Sequence, residues 1–213
     1  MGKLTNGAFG PLTGKVGNMV SYMLNGQNIT RMNGKSKKPF TIPQKNNLLQ
    51  MKVINKVLQD MRGFLRAGFG PACKDTVCNF QNLAVKHNKP QALTGYYPEV
   101  AVDFSKLLVS YGNVPQPVDA KAELVPEGLK FTWDVTNQSF SPSSIDQVMM
   151  LAYFPERGTM AFNTSGAKRD TGFDLLPLNA LQKNYIMEVY IAFRADDRND
   201  VSESLYLGRI VPA

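Results

Sequence analysis

The chain has 213 residues, 43% of them hydrophobic and 19% charged, a balance that supports a sizeable core and excludes an intrinsically disordered chain. Its 24 Lys/Arg and 17 Asp/Glu give a formal net charge of +7, but residues 1–90 hold 14 basic and 2 acidic side chains and residues 91–213 hold 10 and 15, so +12 is followed by −5. No apolar run is long enough to cross a bilayer and the start, Met1-Gly2-Lys3-Leu4-Thr5-Asn6-Gly7, has no apolar core with a cleavage site, so the expected location is cytoplasmic or particle-associated, with no visible secretory signal and no integral membrane segment.

Residues 1–40 read as a Gly-rich basic arm, with glycine at 2, 7, 10, 14, 17, 26 and 34. The run from Lys15 to Leu24 alternates Val16, Val20, Tyr22 and Leu24 against Met19 and Met23, the period of one strand. Asn25-Gly26 then offers a type I′ turn, and Gln27 to Met32 returns to complete a β-hairpin. A lone hairpin is marginal in water. Val16, Met19, Val20, Tyr22, Met23 and Leu24, apolar on both faces, are therefore candidate assembly contacts. Gly14-Lys15-Val16-Gly17 lacks the spacing of a phosphate-binding loop and precedes a strand, so no cofactor is expected.

Residues 41–90 read as a helical hairpin. Thr41-Ile42-Pro43-Gln44 has the pattern of a capping box, with proline in the first turn. The helix predicted over 42–66 places Val53, Ile54, Val57, Leu58, Met61, Phe64 and Leu65 on one broad face. Lys45, Lys52, Lys56, Arg62 and Arg66 gather opposite, and Asp60 is the only acid. With Lys35, Lys37 and Lys38 of the preceding linker, these cations make either a solvated face or a surface for a polyanion or acidic partner. No aromatic interleaves them, so nucleic-acid binding here would be backbone-directed and salt-dependent.

Gly68, Gly70 and Pro71 end that helix, and a second is predicted over 72–87, carrying Cys73, Val77, Phe80, Ala84 and His87 and stopped by Asn88-Lys89-Pro90. Cys73 and Cys78 would then lie about 140° apart around the axis. They are expected to be unpaired, buried and small-apolar in character. One histidine cannot complete a Cys/His zinc cluster, and His87 is expected to close the apolar face of the second helix.

Residues 91–117 read as a connecting segment, extended over 106–114 and bounded by Pro115 and Pro117. In residues 118–213, seven strand-like runs follow, at 119–125, 129–135, 146–154, 158–163, 170–176, 184–194 and 202–210. Turns at Pro126-Glu127-Gly128, Ser141-Pro142-Ser143-Ser144, Arg157-Gly158 and Ala195 to Asn199 separate most of them. That pattern predicts an immunoglobulin-like β-sandwich of fibronectin type III kind, with Trp133 entering the core and Tyr185 in phase with Met187, Val189, Ile191 and Phe193, opposite Tyr190. The expected fold class is α+β: an N-terminal β-hairpin and helical hairpin, then an antiparallel sandwich.

The run from Gly2-Lys3-Leu4-Thr5-Asn6-Gly7 through Gly14-Lys15-Val16-Gly17-Asn18, the Asn25-Gly26 turn and Pro39…Thr41…Gln44 resemble an uncharacterised family of about this length known from Bacteroidetes. The resemblance implies no established activity and no catalytic residues. The layout is also similar to that of virion- or tail-associated proteins, an analogy of fold alone. His87 has no evident Ser/Asp partners, and Arg194 and Arg198 flank Asp196-Asp197…Asp200, so neither catalysis, a metal nor a small-molecule substrate is expected. The leading expectation is a structural or interaction protein that forms homo-oligomers or larger assemblies through its arm and sandwich. The alternative is a sequence-tolerant nucleic-acid binder using the basic helix.

Overall fold

A computed structural model of the chain describes residues 2–4, 10–34, 38–74, 76–135 and 145–212. Its described residues form an α+β fold of three α-helices and thirteen strands in four antiparallel sheets. Two compact units divide it, Met1–Thr41 and Ile42–Ala213.

The first unit is a meander in the order β1 (Lys3–Leu4), β2 (Leu12–Val16), β3 (Met19–Leu24), β4 (Gln27–Met32). Asn25 and Gly26 both take positive φ, 52° and 78°, as the type I′ turn requires. The single strand expected over 15–24 is instead cut by a turn at Gly17 and Asn18, where Gly17 has φ 58°. The expected hairpin is thus part of a four-stranded sheet. The turn also changes the faces: Val16 pairs with Met19 and joins Met19 and Met23, not Val20 and Leu24.

The second unit opens with α1 (Ile42–Asp60), α2 (Arg62–Phe69) and α3 (Phe80–Gln91). The helix expected over 42–66 is two helices bent at Met61 (φ −94°, ψ 9°), although Met61 still donates to Val57 and accepts from Leu65. The helix expected over 72–87 begins later. Pro71–Cys73 is a 3-10 turn, and the Asn79 side chain accepts from the Gln81 amide at 2.9 Å to start α3, which is the work of an N-cap. Val77 and Cys78 are consequently exposed outside any helix. Asn88 and Pro90 lie within α3, not beyond its end. The segment read as connecting 91–117 holds a hairpin, β5 (Leu93–Tyr96) with β6 (Glu99–Val102). The stretch expected to be extended over 106–114 instead leaves a 3-10 turn at Lys106, bends at Val109, Gly112 and Asn113, and enters a ladder only at a bridge between Val114 and Ser202.

The seven later runs are strands: β7 (Lys121–Val125), β8 (Gly128–Thr132), β9 (Gln147–Phe154), β10 (Thr159–Asn163), β11 (Phe173–Pro177), β12 (Met187–Arg194) and β13 (Leu205–Ile210). They form one sheet ordered β11-β8-β7 and another ordered β10-β9-β12-β13. The turn read at residues 141–144 lies outside the described residues. At the centre of the larger sheet, β9 and β12 are buried on both faces, which is why each reads as an almost unbroken apolar run. One face, with Met149, Leu151, Tyr153 and Tyr190, packs on Ile54, Leu58, Met61 and Phe64 of the helices. The other, with Val148, Met150, Val189 and Phe193, packs on Leu129, Phe131, Trp133 and Leu176. Tyr190 and Tyr185 belong to opposite faces, as their phase predicts.

Candidate interaction surfaces

In the N-terminal sheet, register places Val16, Met19 and Met23 with Met32 on one face, and Val20, Tyr22 and Leu24 with Lys15 and Arg31 on the other. Ser21, 1% exposed and hydrogen-bonded to Thr30 at 2.8 Å, is the single buried residue among those described in this unit. Around it Val16, Met19, Met23 and Met32 stay exposed, Met32 to 70%. On the reverse face Tyr22 and Leu24 are exposed, Val20 is half-buried, and the Arg31 guanidinium lies 6.0 Å from the Tyr22 ring centre. All six predicted assembly residues thus sit in one sheet that encloses no apolar core among its described residues. Three methionines on one face give it soft, adaptable contact area. Beyond β4 no further strand pairs within the described residues, so its outer backbone groups form an open edge.

The basic helix face is distributed over two elements. Lys45, Lys52 and Lys56 project from α1, Arg62 and Arg66 from α2; all five are exposed, and none forms an ion pair among the described residues. Lys45, Lys52 and Lys56 are spaced i, i+7, i+11, one line along a helix. Lys38 is exposed in the first unit, while Lys35 and Lys37 lie outside the described residues.

Aromatics missing from the helix itself come from the β5–β6 hairpin. Buried Asn46 accepts from the Tyr97 amide at 2.9 Å and pins the hairpin to α1. The Lys45 ammonium stands 5.8 Å from the Tyr97 ring centre, and Tyr96 and Tyr97 are both exposed. Sequence spacing gave no sign of this pairing, since the two elements are far apart in the chain.

Where α1 meets the larger sheet, Lys56, Asp60, Phe104, Tyr153, Glu156 and Arg157 line an open cleft of 480 Å³. The Tyr153 hydroxyl donates to Asp60 at 3.0 Å. Burial, reinforced by the Asp60 carboxylate, raises the phenol far above its ordinary range, which fixes it as a neutral donor. The acid that interrupts the basic stripe is therefore spent on holding α1 to β9.

The thiols depart from expectation. Cys73 is half-buried and Cys78 exposed, both free, and the Cys78 thiol donates to the Asn79 carbonyl at 3.8 Å. Burial, then Cys78, pushes the Cys73 thiol up to about 11. His87 does lie against aromatic residues, its ring 4.3 Å from Tyr111 and 6.2 Å from Phe69 between centres. Among the described residues no group of three or more His, Cys, Asp or Glu could hold a metal ion, and no helix is long and apolar enough to cross a membrane.

A family model described as a family of unknown function (DUF6266) matches residues 11–208. The chain belongs to that family. No curated protein and no solved structure gives a significant match.

Proposed function

We propose that this member of a family of unknown function is a non-enzymatic structural or interaction protein that assembles with further copies of itself through the N-terminal sheet. The observation that carries this reading is the sheet's composition. Val16, Met19, Tyr22, Met23, Leu24 and Met32 lie exposed while Ser21 alone is buried among the unit's described residues, and such a sheet gains stability by burying a face against another surface. Charge favours a second copy as that surface: residues 1–41 hold six basic and no acidic side chains, whereas residues 91–213 carry −5. Unlike ends attract, and contacts between unlike surfaces generate rings or open filaments. The free edge of β4 adds the option of strand addition to a neighbouring sheet.

The assembling body carries seven strands, which we assign to a fibronectin type III-like sandwich. The division into three and four strands, Trp133 in the shared core and Tyr185 in phase with β12 support that assignment. The layout suits a particle-associated component of the virion or tail kind.

Light scattering of the full chain tests the reading, with Met19→Lys/Met23→Lys as the comparison. Both side chains are exposed, so the variant retains its fold. Assembly of the unchanged chain and a monomeric variant are expected; a wild-type monomer at all concentrations contradicts the proposal.

One observation favours a second reading, backbone-directed nucleic-acid binding. Five exposed cations on α1 and α2 form no ion pair among the described residues, and the first of them, Lys45, stands beside the exposed ring of Tyr97, a combination suited to phosphate contacts with base stacking. Lys45→Gln/Lys52→Gln/Lys56→Gln should weaken single-strand binding and flatten its salt dependence. Binding that is indifferent to this triple change would dismiss the reading.

A further inference from the structure

At one end of the larger sheet, four cations from separated parts of the chain meet around an open cavity of 390 Å³: Arg66 near the end of α2, Lys74 after the 3-10 turn, Arg194 at the end of β12 and Arg198 in the turn that follows. None forms an ion pair among the described residues. Two of the three carboxylates in this stretch, Asp197 and Asp200, accept from local backbone amides, and the Lys74 ammonium also acts on Asp197. Asp200 accepts from the amides of Val201 at 2.8 Å and Asn113 at 3.2 Å, and Asp197 accepts from the Asn199 amide at 2.9 Å.

Two of these cations are held at the cavity by their surroundings. Lys74 donates to Asn199 at 2.7 Å, which holds its ammonium at the rim. Arg194 is partly buried, with its Nε shielded from solvent and without an acceptor. Burial and the neighbouring Arg198 both disfavour its charged form. Cys73, also in the lining, stays a neutral thiol at physiological pH and supplies no counter-charge. An unpaired guanidinium nitrogen in such a place is costly unless a ligand satisfies it.

We propose that this cavity binds a compact phosphoryl-bearing anion, with Arg194 and Arg198 presenting planar donor forks to its oxygens and Arg66 and Lys74 neutralising the remaining charge. Two sources share that chemistry, a free inorganic polyphosphate and the phosphate chain of a nucleotide.

Isothermal titration of the full chain with inorganic pyrophosphate, a nucleoside triphosphate and sulfate tests it. Saturable pyrophosphate binding is expected, tighter than sulfate and weakened about tenfold or more by Arg194→Gln and by Arg66→Gln, while Lys121→Gln, a charge-matched change in β7, leaves it unaltered. Should Arg194→Gln melt early, Arg66→Gln and Lys74→Gln, both at exposed positions, carry the comparison. A nucleoside triphosphate that binds more tightly than pyrophosphate identifies a nucleotide as the source, and equal affinity identifies the inorganic anion. No saturable binding at millimolar pyrophosphate, or equal weakening by Lys121→Gln, overturns the proposal.

Discussion

Asn88, buried within α3, holds both backbone groups of Leu108: its Nδ2 donates to the Leu108 carbonyl at 2.8 Å and its Oδ1 accepts from the Leu108 amide at 2.7 Å. The pair works as a strand's hydrogen bonds would, and satisfies a segment that belongs to no strand. Asn88→Ala leaves two half-buried backbone groups without partners, so it should destabilise the chain by about 1–3 kcal/mol. Urea unfolding measures this; a loss below about 0.5 kcal/mol would show that water replaces the side chain.

Arg169 is fully buried. Its Nη2 donates to the Pro115 carbonyl at 2.6 Å and lies 3.5 Å from Asp146, and its guanidinium carbon stands 3.7 Å from the Phe193 ring centre. Burial raises the Asp146 carboxyl and lowers the Arg169 guanidinium, each shift opposed by the other partner. Asp146→Ala strands a buried cation and should cost about 3–5 kcal/mol, while Arg169→Met/Asp146→Leu should cost much less or nothing. Thermal melting of the two variants decides it, and equal losses would contradict this view of the pair.

Stability should fall on the alkaline side. Burial, then hydrogen bonding to Glu188 at 2.6 Å, raises Tyr206 from its ordinary 10.0 to about 12, and Tyr153 and Tyr190 are raised as well. A phenol whose folded-state pKa lies above its unfolded value contributes stability that is full below pH 10 and lost as pH rises through about 12. Denaturation midpoints across that window should drop for the unchanged chain and less steeply for Tyr206→Phe. Parallel slopes would remove Tyr206 from the explanation.

The two cysteines should differ in reactivity. With its thiol raised to about 11, Cys73 is only about one part in a thousand thiolate at pH 8, and Cys78 is the more exposed of the two. Mass spectrometry after brief alkylation should find the label on Cys78 first; preferential labelling of Cys73 would refute the shift.

How much was legible follows from the kind of signal each element carries. Strands β7 to β13 were readable because apolar runs of strand length alternate with Pro- and Gly-bearing turns. The β5–β6 hairpin was not, since four-residue strands such as Leu93–Tyr96 are too short to establish a period. Asn88-Lys89-Pro90 looked like a helix stop, yet α3 runs through Pro90 despite the bond to Lys86 that proline cannot make, and the contacts of Asn88 with Leu108 that favour this are made by tertiary structure. The exposed cations of the basic stripe were visible in sequence, whereas the cavity cluster was not. Arg194 and Arg198 read as neutralising Asp196 and Asp197, and only folding brings Arg66 and Lys74 beside them.

The most direct measurement is the molar mass of the nuclease-treated full chain by light scattering, across concentration and from low to molar salt, beside Met19→Lys/Met23→Lys. Self-association through the N-terminal sheet predicts a mass above the 23.6 kDa monomer that grows with concentration and collapses in the variant. Persistence in molar salt would assign the contact to apolar burial and strand addition, and loss at moderate salt to the unlike charges of the two ends. A wild-type chain that stays monomeric throughout, or a variant that assembles equally well, would contradict an assembly role for this sheet.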